Sequence, residues 1–266
     1  MGARLGQHFL RDLRVLDAVV DSARLAPGQR VLEVGPGPGN LTERLANAVG
    51  AAGKVVAIEA DEDLAEVLHG RWPNVDVVVD DAVRVDLAAL GRFDRIVANL
   101  PYLISGPITA AFLDLLAVPA TRWERAVLMF QREFAERLLA SPGSGDYGRL
   151  TVHAARRARV TKVRDVPPGA FEPPPKVDST VVLFEPHATP PFQVRDERLW
   201  RAAVDGTFQR RRKQLRNSLP AAVGGAGVPR EDALAALHER GWETRRPENL
   251  APAEFAELAN ALAGDA

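Results

Sequence analysis

Apolar residues recur at helical spacing over residues 13–24, with Asp12 placed to cap the first turn and Pro27-Gly28 placed to stop the helix. Residues 30–34 (RVLEV) then form a short run rich in β-branched side chains, the pattern of a buried strand. It breaks at Gly35-Pro36-Gly37-Pro38-Gly39, and the spacing predicts a helix over 41–49. Further apolar runs at 54–58, 75–79, 93–98 and 126–130 predict strands, separated by predicted helices over 61–70 and 108–116 and followed by one over 132–139. Continuous apolar strands alternating with amphipathic helices indicate an α/β fold with a parallel sheet covered on both faces. Runs at 160–166 and 180–184 have no helix between them, so they could close the sheet as an antiparallel pair. The proline-braced stretch 167–175 reads as an ordered loop or stiff arm.

The pattern changes after Pro186. Thr189-Pro190-Pro191 has linker character, and everything beyond is helical in period, at about 195–205, 207–219, 230–240 and 252–263. The expected organisation is a Rossmann-like domain over 1–187 and a small helical domain over 188–266.

Composition narrows the chemistry. There is no cysteine, so disulfides, cysteine-ligated zinc, iron–sulfur clusters and thiol catalysis are excluded. No metal site is expected. The formal net charge is −1, so any nucleic-acid footprint must be local. No run of 18 apolar residues is present, and residues 1–14 are too charged for a secretory signal core, which makes a soluble cytoplasmic protein the expectation.

In a doubly wound sheet, ligands bind beyond the carboxyl ends of the strands. Gly35, Gly37 and Gly39 form the loop after the first sheet strand, Glu59 ends the second, Asp81 follows the third and Asn99 the fourth. Glycines let a ligand approach the backbone closely. A carboxylate at the second strand end suits a ribose diol, which can donate two O–H bonds to it, and Asp81 could accept from an exocyclic adenine amine. Singly, these are equally an ordinary tight turn and solvated strand ends; their joint placement is what points to a nucleoside. The loop reads G-x-G-x-G rather than the dinucleotide G-x-G-x-x-G, and prolines 36 and 38 remove amide donors that a pyrophosphate would need. A phosphate-free ligand such as S-adenosylmethionine fits better.

Asn99-Leu100-Pro101-Tyr102 suggests what receives the methyl group. An exocyclic amine conjugated to a ring is a poor nucleophile because its lone pair is delocalised. The Asn99 carbonyl and the Leu100 backbone carbonyl could accept both of its N–H groups and favour the pyramidal amine. Tyr102 offers a face for a base to stack on. Phe171 could close the other face of a flipped-out base, or could simply cap the core under its loop.

These stretches, together with Leu5-Gly6-Gln7-His8-Phe9-Leu10, Glu33-Val34-Gly35-Pro36-Gly37-Pro38-Gly39-Asn40-Leu41-Thr42, the run from Gln131 to Arg137, Phe171-x-Pro173-x-Pro175-x-Val177-x-Ser179 and Phe208 to Asn217, resemble the ribosomal RNA adenine N6,N6-dimethyltransferases of the KsgA type, in their archaeal and eukaryotic branch. The resemblance spans nearly the whole chain. It implies transfer of methyl groups from S-adenosylmethionine to two adjacent adenines in the 3′-terminal hairpin loop of small-subunit rRNA, during ribosome biogenesis. It also implies cofactor contacts at His8, Leu10, Gly35, Glu59, Asp81 and Asn99. His8 stands where many members carry Asn, so its contact there is through the backbone or another side-chain atom. The macrolide-resistance methyltransferases of large-subunit rRNA share the fold but typically carry Asn-Ile-Pro, so Leu100 favours the small-subunit type.

Between Arg195 and Arg216 eight basic residues face three acids, including Arg210, Arg211, Arg212, Lys213 and Arg216. Four consecutive cations on a helix would wrap around it, which suits distributed phosphates better than one packed face. A second cluster comprises Arg156, Arg157, Arg159, Lys162 and Arg164. The expected partner is small-subunit rRNA in an immature subunit, met by a monomer. Two alternatives stay open: a large-subunit rRNA methyltransferase, and an RNA-binding assembly factor in which methyl transfer is secondary. A small-molecule methyltransferase would leave the 210–213 cluster unexplained.

Overall fold

The computed structural model describes residues 8–264. In chain order the strands are β1 (Phe9–Leu10), β2 (Arg30–Val34), β3 (Lys54–Glu59), β4 (Val75–Val79), β5 (Arg95–Asn99), β6 (Arg125–Gln131), β7 (Ala158–Val166), β8 (Phe171–Glu172) and β9 (Ser179–Pro186). The helices are α1 (Leu13–Ala23), α2 (Asn40–Val49), α3 (Glu62–Leu68), α4 (Ser105–Leu115), α5 (Arg132–Leu139), α6 (Arg149–Arg157), α7 (Glu197–Phe208), α8 (Leu215–Gly224), α9 (Arg230–His238) and α10 (Pro252–Leu262). They fall into two compact units, Met1–Ala135 with Ala158–Pro186, and Glu136–Arg157 with His187–Ala266.

The first unit is built on a seven-stranded sheet of order β4-β3-β2-β5-β6-β9-β7. β4, β3, β2, β5 and β6 are parallel; β9 runs antiparallel to β6 and to β7. The expected antiparallel end of the sheet is therefore present. Along β2, β3, β5 and β6 nearly every side chain is buried on both faces, which is why these strands read as continuous apolar runs rather than alternating ones. α1 and α2 cover one face, where Val15, Leu16, Val19, Leu41 and Leu45 pack on Val31, Val55, Val97 and Val127. α1 begins where the Asp12 carboxylate accepts the Val15 amide. Strand order runs outward from β2 to β4, then resumes at β5 on the other side of β2. That reversal puts a crevice between the carboxyl ends of β2 and β5, where this fold class binds ligands.

The second unit is helical and closes around Trp200, Leu215, Leu219, Leu237 and Phe255. It includes Glu136–Arg157, a stretch that precedes the boundary expected after residue 187, because Tyr147 and Val152 pack into the helical core and the Tyr147 hydroxyl donates to the Leu250 carbonyl at 2.8 Å. The break expected between helices at 195–205 and 207–219 lies further along the chain. α7 ends at Phe208, residues 209–214 turn, and α8 starts at Leu215 and continues through Pro220. The break arises because the Leu215 amide donates to the Arg245 carbonyl at 2.8 Å and the Arg216 amide to the Glu243 carbonyl at 3.2 Å, so the first amides of α8 are taken by another segment.

Candidate active site

The turn after β2 is held from two sides. The Gly35 amide donates to the Ile58 carbonyl at 2.9 Å, tying the turn to β3. Gly35 adopts φ +69°, and a Cβ there would lie 3.2 Å from Pro101 Cδ, so the glycine turn and the Asn99-Leu100-Pro101 turn press against each other across the crevice. Gly37 adopts φ +55°, and a Cβ there would lie 2.7 Å from the Phe9 ring. Only glycine meets both demands.

Glu59, the last residue of β3, is buried. One of its carboxylate oxygens accepts the Gly37 amide at 3.0 Å, and the other accepts the Asp61 amide at 3.1 Å. The side chain thus fixes the glycine turn, while each oxygen keeps a second lone pair for a further donor. Asp81 follows β4 and accepts the Val83 amide at 3.0 Å. Asn99 ends β5, and its Nδ2 donates to the His8 backbone carbonyl at 3.2 Å. That bond fixes the rotation of the amide and turns Oδ1 away from residue 8. Leu100 is buried, and its amide donates to the Met129 carbonyl at 3.3 Å. Tyr102 opens a short 3₁₀ turn, with its phenol and the Ser179 hydroxyl hydrogen-bonded at 2.9 Å. Partial burial pushes the phenol pKa up, against the lowering effect of Ser179, so it stays neutral.

These groups line one open cleft of about 210 Å³, which gathers His8, Gly35, Gly37, Glu59, Asp81, Asn99, Leu100 and Tyr102. Residues from the ends of β2, β3 and β5 and the loop after β4 thus meet as the sequence order suggested. His8 and Phe9 enter from β1. The His8 ring lies 5.9 Å from the Tyr102 ring, with Nδ1 2.9 Å from the Pro173 carbonyl, an arrangement in which Nδ1 carries the proton. Leu10 does not reach this cleft. Its carbonyl accepts Asn40 Nδ2 at 2.9 Å, and it borders a second, much smaller cavity of about 20 Å³ that also touches Glu33, Gly35, Asn40 and Asn99. Residues Leu5, Gly6 and Gln7 of the N-terminal motif lie outside the described residues.

Phe171 lies apart from these residues. It is 4% exposed, in the core with Leu10 and Leu16 rather than in the cleft lining. The cause is β8, which pairs Phe171 with Leu10 of β1 and draws the ring inward. Of the two alternatives for this residue, the structure favours the core cap. Two polar anchors escaped the sequence: the His8 carbonyl that orients Asn99, and the Ser179 hydroxyl that orients Tyr102. Ser179 carried a signal, as the last residue of the Phe171-to-Ser179 motif.

The cleft suits S-adenosylmethionine. Glu59 and Asp81 offer acceptors at successive strand ends, the glycine turn opens the backbone between them, and among the described residues no Lys or Arg lines the cleft to favour a phosphate. Among the described residues, no group of three metal-ligating side chains is present. No described helix is long and apolar enough to cross a membrane.

In the helical unit, Arg210 to Lys213 lie in the α7–α8 turn rather than around a helix. Arg211 is committed internally, its Nε on Glu248 at 2.8 Å and its Nη2 on the Ser144 carbonyl at 2.9 Å. Arg210, Arg212 and Lys213 have no ion-pair partner among the described residues, and Arg216 sits on α8 near Glu243. The second basic cluster is largely neutralised. Arg156 and Arg157 share Glu197, Arg159 pairs with Glu185, and Lys162 with Asp165.

Residues 2–260 match the family model described as ribosomal RNA adenine dimethylase. The chain is 41% identical over 264 residues to a probable ribosomal RNA small subunit methyltransferase A of Methanosarcina acetivorans, covering 98% of this chain and 93% of that one. It is 42% identical over 267 residues to the ribosomal RNA small subunit methyltransferase A of Geobacter metallireducens, covering 97% and 94%. Among solved structures, a dimethyladenosine transferase from Plasmodium falciparum superposes with a TM-score of 0.76 at 30% identity, covering 94% of this chain and 96% of that one. The 23S rRNA methyltransferase ErmE superposes with a TM-score of 0.68 at 29% identity, covering 96% and 99%.

Proposed function

The chain belongs to the ribosomal RNA adenine dimethylase family, and on that premise we propose how its cleft dimethylates adenine N6 in small-subunit rRNA. It is an S-adenosylmethionine-dependent methyltransferase, and the cofactor supplies an electrophilic methyl on a sulfonium centre. Glu59 would accept the ribose hydroxyls and Asp81 the adenine amine of the cofactor, and the glycine turn with His8 would hold its amino-acid end. The target adenine leaves its stack and lies against Tyr102. Asn99 Oδ1 and the Leu100 carbonyl accept the two N6 hydrogens, which localises the nitrogen lone pair toward the methyl group. With the methyl supplied there, the nitrogen held by Asn99 and Leu100 would take it as the thioether leaves, and the cationic nitrogen would pass its proton to water, so no strong base is needed on this chain. A second round on the same nitrogen completes the dimethyl product.

The observation that carries this reading is the convergence of Asn99, Glu59 and the glycine turn in one cleft, with the Asn99 amide rotation fixed by the His8 carbonyl. The finer substrate, two adjacent adenines of the 3′-terminal hairpin loop in an immature subunit, is part of the proposal. So is phosphate binding by Arg210, Arg212, Lys213 and Arg216 of the helical unit, in a monomer acting in the cytoplasm. The likeness to the 23S rRNA methyltransferase keeps large-subunit rRNA as the second reading.

The test is radiolabelled methyl transfer to unmethylated immature small subunits and, in parallel, to large-subunit rRNA, with products mapped by nuclease digestion and mass spectrometry. Dimethyladenine in the small-subunit hairpin is expected. Label confined to large-subunit rRNA, or binding without transfer, would overturn the assignment.

A further inference from the structure

Tyr102 and Leu103 are neighbours in the cleft lining, and the chain treats them in opposite ways. Tyr102 is half-buried and tied through its phenol to Ser179. Leu103 is 82% exposed, more than any other large apolar side chain among the described residues. A lone exposed leucine elsewhere on a surface would call for no explanation. The other exposed large apolar side chains, Leu13 and Val67 foremost, lie outside the cleft lining; Leu103 belongs to it.

The exposure is built into an ordered turn. Pro101 leads into the 3₁₀ turn at φ −57°, the Ile104 amide donates to the Pro101 carbonyl at 3.2 Å, and the Ser105 amide donates to the Tyr102 carbonyl. The Ser105 hydroxyl also reaches the Pro101 carbonyl, at 3.4 Å. The chain itself therefore fixes the backbone that carries Leu103 outward.

A 3₁₀ helix has three residues per turn, so successive side chains point about 120° apart. Tyr102 and Leu103 cannot both pack on one ring. If the target adenine lies against Tyr102, Leu103 meets what stands next to that adenine along the RNA. A flipped base leaves its neighbour with one bare face, and an apolar side chain can cover the gap at an unstacked step. The groups that suit the cofactor, Glu59, Asp81 and the glycine turn, belong to other strand ends. Resting on the function proposed above, we infer that Leu103 is a wedge: it covers the face of the adjacent adenine that is bared when the target adenine flips out, and so favours the flipped state.

The wedge acts on the balance between stacked and flipped RNA that is already bound. Its loss lowers the reactive fraction, and with it kcat, while cofactor affinity stays the same.

The test is initial-rate methyl transfer to immature small subunits reconstituted with either of two rRNAs. One has adenine beside the target adenine, and the other has an abasic residue there, which removes the stack to be broken. With the adenine neighbour, Leu103→Ala should lower kcat about tenfold, the scale of one lost base contact, with KM for the subunit within about twofold. With the abasic neighbour, the variant and the wild-type chain should differ by less than about twofold. Leu103→Met, which keeps an apolar side chain of similar size, should restore most of the rate. Both variants should melt within about 2 °C of wild type, because the side chain packs on little of its own chain. Wild-type kcat for Leu103→Ala on the adenine-neighbour subunit, or the same loss on both subunits, would overturn the wedge. So would a weakening of S-adenosylhomocysteine binding by titration calorimetry in proportion to the loss of rate, which would make Leu103 a cofactor contact instead. A wild-type chain that methylates neither subunit would overturn the function on which the wedge rests.

Discussion

Gly37→Ala makes two separable demands on the cleft. Alanine at φ +55° incurs the left-handed penalty of about 1–2 kcal/mol, offset in part by the lower entropy of its unfolded chain, worth about 0.4–1 kcal/mol. Its Cβ would also stand 2.7 Å and 2.8 Å from two atoms of the Phe9 ring. Restoring ordinary contact needs a shift of about 0.7 Å, in a packing environment where one added methyl typically costs about 1–3 kcal/mol. The net expectation is about 2–4 kcal/mol, or a fall in Tm of roughly 4–15 °C for a chain of this size. Because Gly37 donates to Glu59 and Phe9 enters the cleft, the strain falls on the cofactor site. S-adenosylhomocysteine affinity should drop at least tenfold by titration calorimetry. Gly37→Ala with Phe9→Ala removes the clash but not the φ strain, so ligand affinity should recover in part relative to the single Gly37 variant. A Gly37→Ala protein with Tm within 1 °C and Kd within twofold of wild type would refute the claim that this turn is held against Phe9.

Asn99→Ala should lower kcat for methyl transfer by at least a hundredfold, as for other preorganised acceptors and donors, with rRNA binding within a few-fold in a filter assay. Changing Arg210, Arg212 and Lys213 together to Ala should reduce the salt slope of rRNA binding by about 2–3 if each meets a phosphate, read from log K against log salt. Arg211→Ala is expected to act differently. It breaks a partly exposed ion pair and a hydrogen bond to the Ser144 carbonyl, costing about 1–2 kcal/mol in thermal melts while leaving the salt slope nearly unchanged.

The parallel strands were legible because both their faces are covered, so Val55 to Ile58 and Ala126 to Phe130 present unbroken apolar runs. The cleft was legible because its polar residues end those runs, and the fold class fixes where strand ends converge. Other features depend on distant partners. The α7–α8 break was expected near 206 and lies at 209–214, because Arg210 to Lys213 are good helix formers and the Arg245 and Glu243 carbonyls take the first amides of α8. Phe171 lay in a proline-rich stretch with no readable period, and its burial follows from pairing with a two-residue strand at the other end of the chain. α6 escaped because its buried face is only Thr151, Val152 and Ala154 amid arginines.

A crystal structure of the chain with S-adenosylhomocysteine bound tests the central geometry most directly. The ribose hydroxyls should rest on Glu59, the adenine amine on Asp81, and the thioether sulfur should face Asn99 Oδ1 beside Tyr102. A ligand whose sulfur points away from Asn99, or one seated outside the cleft between β2 and β5, would contradict the proposed transfer to a base held at Asn99 and Leu100.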